Sequence, residues 1–377
     1  MGIEKETIEL KIDKWVNDGN AMSHKDGKLY FVRGGIPGET VLCEIIKQKS
    51  THTFVEVIEV LEASDKRKSS DCEVFPKCGG CSFRHLEYTE EQLLKKSLLE
   101  SEFLHRLKVH KELPKIGIYS GQINYYRNTV QLKRDKSSFG FYRMNSNELV
   151  EYPTSGCQLL PRDIDSGIQN RIRTQAFPAK GKLRKYREGI LEYANQSGTI
   201  LIKGRSLKIP PDGFIQIHSN LVDNWMDSIL KFSSGKNALE LFSGAGCITI
   251  FLAEKFKHID AYELGESSVI YARKNARFHK ENHLHFHQKN LYKLPPDANS
   301  EYDVCVANPP RAGLGNVVIQ YLLDSEIPRI IYSSCDYLSL ISDLSRLENR
   351  YRIRKMDLFD FFPRTSHFET LVVLEKI

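Results

Sequence analysis

Three short turns in the last third of the chain carry residue types that do covalent chemistry: Asn308-Pro309-Pro310-Arg311, Ser334-Cys335-Asp336 and His367-Phe368-Glu369. Cys335 stands at a strand end just before the helical run DYLSLISDL. A cysteine there can serve as a nucleophile, because the thiolate is the reactive form and the positive end of a helix favours it. Glu369 can act as a base that removes a proton once a covalent addition has made it acidic. Upstream, KNALELFSGAGCITIFLA (Lys236 to Ala253) reads as a strand, a loop at Ser243-Gly244-Ala245-Gly246 and a helix, and its glycines let a ligand approach the backbone. A cofactor loop, a polar-Pro-Pro turn, a lone cysteine and a late carboxylate are what a covalent methyl transfer to a pyrimidine ring needs.

A second set of reactive residues lies far from these turns. In SSDCEVFPKCGGCSFRHLEY, Cys72 is separated from Cys78 by five residues, and Cys78 from Cys81 by two glycines. Gly79 and Gly80 let the backbone fold tightly, so that thiolates converge on one metal centre. Cys157, in TSGCQLLP, is the candidate fourth ligand. Four thiolates suit zinc or an iron–sulfur cluster, and a spacing unlike paired zinc ribbons favours the cluster. Structural disulfides are not expected in a cytoplasmic chain.

The elements that must position these residues follow from patterning. After the glycine loop, HIDAYELG reads as a strand ending in Glu263, placed to accept hydrogen bonds from ribose hydroxyls. HLHFHQ is a third strand, and Asn290 follows it at the level of an adenine edge. YDVCVA, RIIYSS and FETLVVLE complete an alternating α/β order with an antiparallel end, which predicts a doubly wound sheet with ligands at the strand C-termini. A dinucleotide dehydrogenase would place glycine at position 249; this chain has Thr249, which favours S-adenosylmethionine.

The expected organisation is an OB-like β-barrel over residues 1–62, a cysteine-cluster segment with a packing helix over 63–110, a central β-rich basic domain over 111–210, and a class I, Rossmann-like methyltransferase domain over 211–377. Thr89 and Gln92 have the spacing of a capping box at the packing helix. Residues 111–215 hold 18 Lys and Arg against 9 Asp and Glu, whereas the rest holds 36 against 39. Arg127, Lys133, Arg134, Arg143, Lys182, Arg184, Lys185 and Arg187 interleave there with Tyr125, Tyr126, Phe139, Phe141, Tyr142 and Tyr186, a mixture that stacks unpaired bases and neutralises phosphates. No apolar run reaches the roughly 18 residues that span a bilayer, and the start MGIEKETIEL lacks a signal-peptide core. A cytoplasmic monomer is expected.

The succession of CGGC, glycine loop, PPR turn, YSSC and FPRTSHFET resembles the RNA 5-methyluridine methyltransferases over nearly the whole chain. The IPGETV run is similar to that family's TRAM barrel. The resemblance implies a four-iron [4Fe-4S] cluster on Cys72, Cys78, Cys81 and Cys157, and methyl-donor contacts from Gln216, Phe242, Glu263 and Asn308. With Gly244, Gly246 and Asn290 from the loop and third strand, these form the expected cofactor set. Chemistry supplies the mechanism: a thiolate added at carbon 6 of uracil makes carbon 5 nucleophilic, and a base then takes the carbon 5 proton. Cys335 and Glu369 fill those roles. The expected substrate is 23S rRNA, with tRNA as the alternative. Where the family usually has aspartate this chain has Asn308, and an Asn-Pro-Pro turn also suits enzymes that methylate exocyclic amino groups. His218 and Cys247 are further departures from the family's pattern.

Overall fold

The computed structural model describes residues 6–108, 114–135, 137–176, 181–297 and 301–377; the charged first five residues of the N-terminus lie outside this set. The alternating N-terminal segment forms β1 (Thr7–Lys11), β2 (Lys14–Trp15), β3 (Ala21–Lys25), β4 (Lys28–Arg33), β5 (Thr40–Gln48) and β6 (His52–Glu62), in one sheet of order β1-β5-β6-β4-β3-β2. Leu10, Tyr30, Val32, Val41, Cys43 and Val55 share its buried face, as the period of two requires. The expected closed barrel is not found. Among the described residues no ladder joins the edge strands; β1 meets β3 instead through Ser23 Oγ donating to Lys11 O (2.6 Å) and Lys25 Nζ donating to Glu9 O (2.9 Å).

The packing helix is α1 (Tyr88–Arg106), and its start corrects the capping-box expectation. Glu87 is the N-cap residue and makes no side-chain cap, so Thr89 already lies inside the helix. Next comes β7 (Gly117–Tyr119), which leaves the central region and pairs in parallel with a C-terminal strand. The central region itself contains β8 (Thr129–Gln131), β9 (Lys133–Asp135), β10 (Ser138–Tyr142), β11 (Leu149–Glu151), α2 (Arg162–Arg173), β12 (Lys182–Tyr186), β13 (Gly189–Leu191), β14 (Gly198–Ile202) and β15 (Arg205–Ile209). These strands form three small sheets, and Val130, Leu132, Phe139, Ile164, Ile168 and Leu183 fill the core between strands and α2.

The C-terminal region runs α3 (Val222–Phe232), β16 (Asn237–Leu241), α4 (Thr249–Leu252), β17 (His258–Glu263), α5 (Glu266–Phe278), β18 (Leu284–Gln288), β19 (Val304–Ala307), α6 (Gly315–Asp324), β20 (Arg329–Ser334), α7 (Tyr337–Leu347), β21 (Tyr351–Phe359) and β22 (Glu369–Lys376). Its sheet has the order β18-β17-β16-β19-β20-β22-β21-β7. The strands from β18 to β20 are parallel, and β22 inserts antiparallel to both neighbours. Buried residues of α1, α6 and α7 cover one face, and those of α3, α4 and α5 the other, which is why ALEL and VCVA are apolar at every position or nearly so. The chain reverses its direction of travel across the sheet between β16 and β19, the switch point where open α/β sheets bind ligands. Among the described residues no helix is long and apolar enough to cross a membrane.

Candidate active site

At the end of β16 the backbone takes positive φ at Phe242 (61°), Gly244 (56°) and Gly246 (77°). Gly246 N donates to Ser243 O (3.0 Å), which closes the turn. Glu263, at the tip of β17, accepts from Gly244 N (3.0 Å) through one oxygen and from Gly265 N (2.7 Å) through the other. Each carboxylate oxygen keeps a further lone pair for a ligand hydroxyl. Gln216, Phe242, Gly244, Glu263, Asn290 and Asn308 all line one cavity of about 680 Å³.

Gly246 does not line this cavity. A Cβ there would meet Ala272 Cβ at 3.2 Å and the Phe286 ring at 3.3 Å, so this glycine serves close packing of loop against helix and strand rather than ligand contact. His218 and Asn220 do not line it either: His218 Nε2 bonds Gln122 O (3.0 Å) and its ring stacks on Tyr126 (4.8 Å), while Asn220 Nδ2 donates to Gln122 Oε1 (3.1 Å). Sequence reasoning missed Glu240, whose buried carboxyl also lines the cavity and is pushed up to about 8 by desolvation. Gln216 Nε2, Glu240 Oε2 and Ser243 Oγ are buried without hydrogen-bond partners. Buried polar atoms facing a cavity without partners fit a polar ligand that would satisfy them.

Cys335 directly follows β20 and Glu369 opens β22, adjacent antiparallel strands in which Ser334 pairs with Thr370. Cys335 is half-buried, with the Arg311 guanidinium near enough for its charge to act on the sulfur. Burial and the nearby Glu369 carboxyl push its thiol up to about 11, against the opposing effect of Arg311. This corrects the expectation that the helix start holds a thiolate. The N-terminal amide of α7 is already used, since Ser339 N donates to Asp336 Oδ1 (2.8 Å), and Asp336 adds negative charge next to the sulfur. These effects favour the thiol over the thiolate.

Glu369 is buried and pushed up to about 7 by desolvation. Ser333 Oγ donates to its Oε1 (2.5 Å), and Trp225 Nε1 donates to Ser333 Oγ (2.9 Å). The relay fixes the carboxyl in place, and its range suits proton exchange near neutrality. The segment leading to Glu369 is tied to α1. Lys95 Nζ donates to Glu91 Oε1 (2.7 Å) and Asp360 Oδ1 (2.9 Å), Arg364 N donates to Glu91 Oε1 (2.7 Å), and all three of these charged side chains are buried.

A second cavity has a volume of about 530 Å³, and the Asn308-Pro309-Pro310-Arg311 turn contributes to both: Pro310 lines the first and Arg311 the second. Thr365, Ser366 and His367 line it on one side and Cys72, Cys78, Cys81 and Cys157 on the other. Arg84 Nε donates to Cys81 Sγ (3.3 Å) and Gly80 N to Cys78 Sγ (3.4 Å). Arg33 Nη2 donates to Cys78 O (2.7 Å) and Cys81 O (2.6 Å), while its buried Nη1 has no partner. Among the described residues no three His, Cys, Asp or Glu side chains are grouped to hold a single metal ion. That finding supports neither the zinc nor the iron–sulfur expectation. Ser82 N (2.7 Å) and Phe83 N (3.2 Å) both donate to Arg364 O, so the cysteine segment is bonded directly to the segment that carries Glu369.

The basic central region is less free than its composition implies. Arg143 is buried against Glu56 and Glu44, and Arg184 against Gly213 O, so neither is available to a phosphate. Tyr126, Phe139 and Tyr186 are core. Arg134, Lys185 and Arg187 are exposed, as are Tyr125 and Tyr142; Arg127, Lys133 and Tyr142 border the second cavity.

Residues 297–377 match the family model for tRNA (Uracil-5-)-methyltransferase, and residues 220–324 match a methyltransferase small domain. The chain is 33% identical to an uncharacterized RNA methyltransferase of Leptospira interrogans, over 99% of this chain and 96% of the relative. It is 28% identical to another from Aquifex aeolicus, over 98% of each. Among solved structures it is similar to the Pyrococcus abyssi tRNA (uracil-54, C5)-methyltransferase in complex with S-adenosyl-L-homocysteine, with a TM-score of 0.77 over 97% of this chain and 99% of that one at 18% identity.

Proposed function

The chain belongs to the RNA 5-methyluridine methyltransferase family, and from that premise we propose that it methylates carbon 5 of a specific uridine in RNA through a covalent cysteine adduct. The observation that carries this reading is the approach of Cys335 to Glu369 and to Arg311, whose turn lines both cavities although Cys335 and Glu369 themselves line neither. S-adenosylmethionine, held by Gln216, Phe242, Gly244, Glu263 and Asn290, supplies an electrophilic methyl group. Arg311 favours the thiolate as uracil excludes water. The Cys335 thiol loses its proton to solvent and Sγ bonds to carbon 6; the electron pair of the ring's double bond moves toward carbon 5, which takes the methyl as the donor's carbon–sulfur bond breaks and leaves its electron pair on the donor sulfur. Glu369 then accepts the carbon 5 proton, the double bond reforms and the carbon–sulfur bond breaks. Asn308 can accept the uracil N3–H and donate to a carbonyl.

The favoured substrate is 23S rRNA, with tRNA as the alternative, bound by a cytoplasmic monomer. Asn308 lines the cofactor cavity, and that supports a second reading, methylation of a base nitrogen. RNA labelled with tritium at uracil carbon 5 separates the two. Carbon methylation displaces that hydrogen, so one tritium should be released per methyl transferred; methylation without release would refute the carbon 5 reading.

The same reading assigns a [4Fe-4S] cluster to Cys72, Cys78, Cys81 and Cys157, and a TRAM-type module to the N-terminal sheet. Four thiols on one cavity, with the unpartnered Arg33 Nη1 beside them to offset negative charge, support the cluster. Its role is to clamp the cysteine segment against Arg364. Cys78→Ser should therefore lose iron and sulfide by direct analysis and lower the melting temperature. A Cys78→Ser protein of normal stability that no longer binds RNA would assign the cluster to recognition instead.

A further inference from the structure

We propose that the turn Asn17-Asp18-Gly19 of the N-terminal sheet is a positioning element of the catalytic site, acting through Tyr337 to hold Cys335 and Glu369 in register. The inference rests on the reading of those two residues as the reacting pair. Tyr337 is the first residue of α7, two positions after Cys335. Its ring stacks on Phe368, the residue before Glu369, with centroids 5.2 Å apart and planes within 19°. One aromatic contact thus joins the backbone that carries the nucleophile to the backbone that carries the base. The Tyr337 hydroxyl donates to Asn17 Oδ1, so its position is set by a residue more than 300 positions away in another sheet.

The turn has little freedom to adjust. Gly19 has φ 72°, and a Cβ there would fall 2.5 Å from Ser82 Cβ and 3.3 Å from Ser366 Cβ. It is wedged between the cysteine segment and the loop leading to Glu369. Asp18, also at positive φ (61°), is close enough to His367 and Tyr337 for its charge to act on both. The strands β20 and β22 are paired only as far as Ser334 and Thr370. Glu369 is held in β22 by its pairing with Phe359 of β21, but Cys335 lies beyond the end of β20, so side chains must fix its place relative to Glu369. Covalent addition needs reacting atoms held within about 3–3.5 Å, and small displacements reduce the rate steeply. The N-terminal sheet on this account helps complete the catalytic site.

The test uses the full chain and RNA with 5-fluorouridine at the target, whose adduct persists because fluorine cannot leave as a proton. Asn17→Ala and Tyr337→Phe should each slow adduct formation by about tenfold, the effect of one lost hydrogen bond, with the RNA dissociation constant unchanged. The double variant should be no slower than the slower single. Asn17→Asp, which retains the acceptor oxygen, should restore the rate. Melting temperatures identify a variant that fails to fold, and the half-buried Asn17→Ala and Asn17→Asp variants decide the matter if Tyr337→Phe does. Weaker RNA binding at an unchanged rate, or singles whose effects multiply, would overturn the proposal. If wild-type protein forms no adduct, the assignment of Cys335 has failed; if it does and the variants match it, this inference alone has failed.

Discussion

Cys335→Ala should abolish methyl transfer, by on the order of 10⁴-fold or more, because no other group can open the ring's carbon 6 to addition. RNA affinity should survive, since Cys335 is a small half-buried residue and the surfaces around both cavities are untouched. With 5-fluorouridine RNA, wild-type protein should give a protein–RNA band on a denaturing gel and Cys335→Ala none. Because burial pushes the thiol up to about 11, adduct formation by wild-type protein should quicken with pH throughout the neutral and mildly alkaline range. Substantial turnover by the alanine variant would sink the assignment.

Glu369→Gln should have the opposite signature: methyl transfer proceeds once, and the enzyme stays attached to its product. General-base loss slows a step by about 10²–10⁴-fold, so an adduct with ordinary RNA should accumulate on denaturing gels. The glutamine amide oxygen can still accept from Ser333, so the relay from Trp225 is retained. Folding should not suffer. A carboxyl raised from the ordinary glutamate range to about 7 favours the folded state when protonated, and that stabilisation is lost as pH rises through about 7. At pH 8 the neutral amide therefore costs nothing that the wild-type carboxylate provides. In wild-type protein, adduct resolution should fall away below about pH 7 as Glu369 becomes protonated. If the variant releases product normally, the base is another group.

Much of the scaffold was legible because its signals are local. The apolar runs that became β16, β19 and β20, the glycine loop and Glu263 at a strand tip each carry their own pattern, and the structure brings six of the seven expected cofactor residues to one cavity. Where the reading failed, the deciding contact was distant in sequence. Gly246 reads as a ligand contact in the sequence, yet it is absent from the cavity lining and packs close to Ala272 and Phe286. The helix start beside Cys335 was expected to make a thiolate, but the nearby Asp336 takes the helix amide and burial does the rest. Arg143 counted toward a basic face, yet it is neutralised by Glu44 and Glu56 from the N-terminal sheet. β7 is three residues long and gains its identity only by pairing with β21. The expected barrel rested on strand spacing, which says nothing of whether the edges close.

Nucleoside mass spectrometry on separated ribosomal and transfer RNA, from cells with and without this gene, tests the central claim most directly. Loss of 5-methyluridine from one RNA class is the predicted result; loss from the large ribosomal RNA would match the favoured substrate and loss from transfer RNA the alternative. Unchanged 5-methyluridine in both, with an N-methylated base missing instead, would contradict the account and make Asn308 rather than Cys335 the guide to the chemistry.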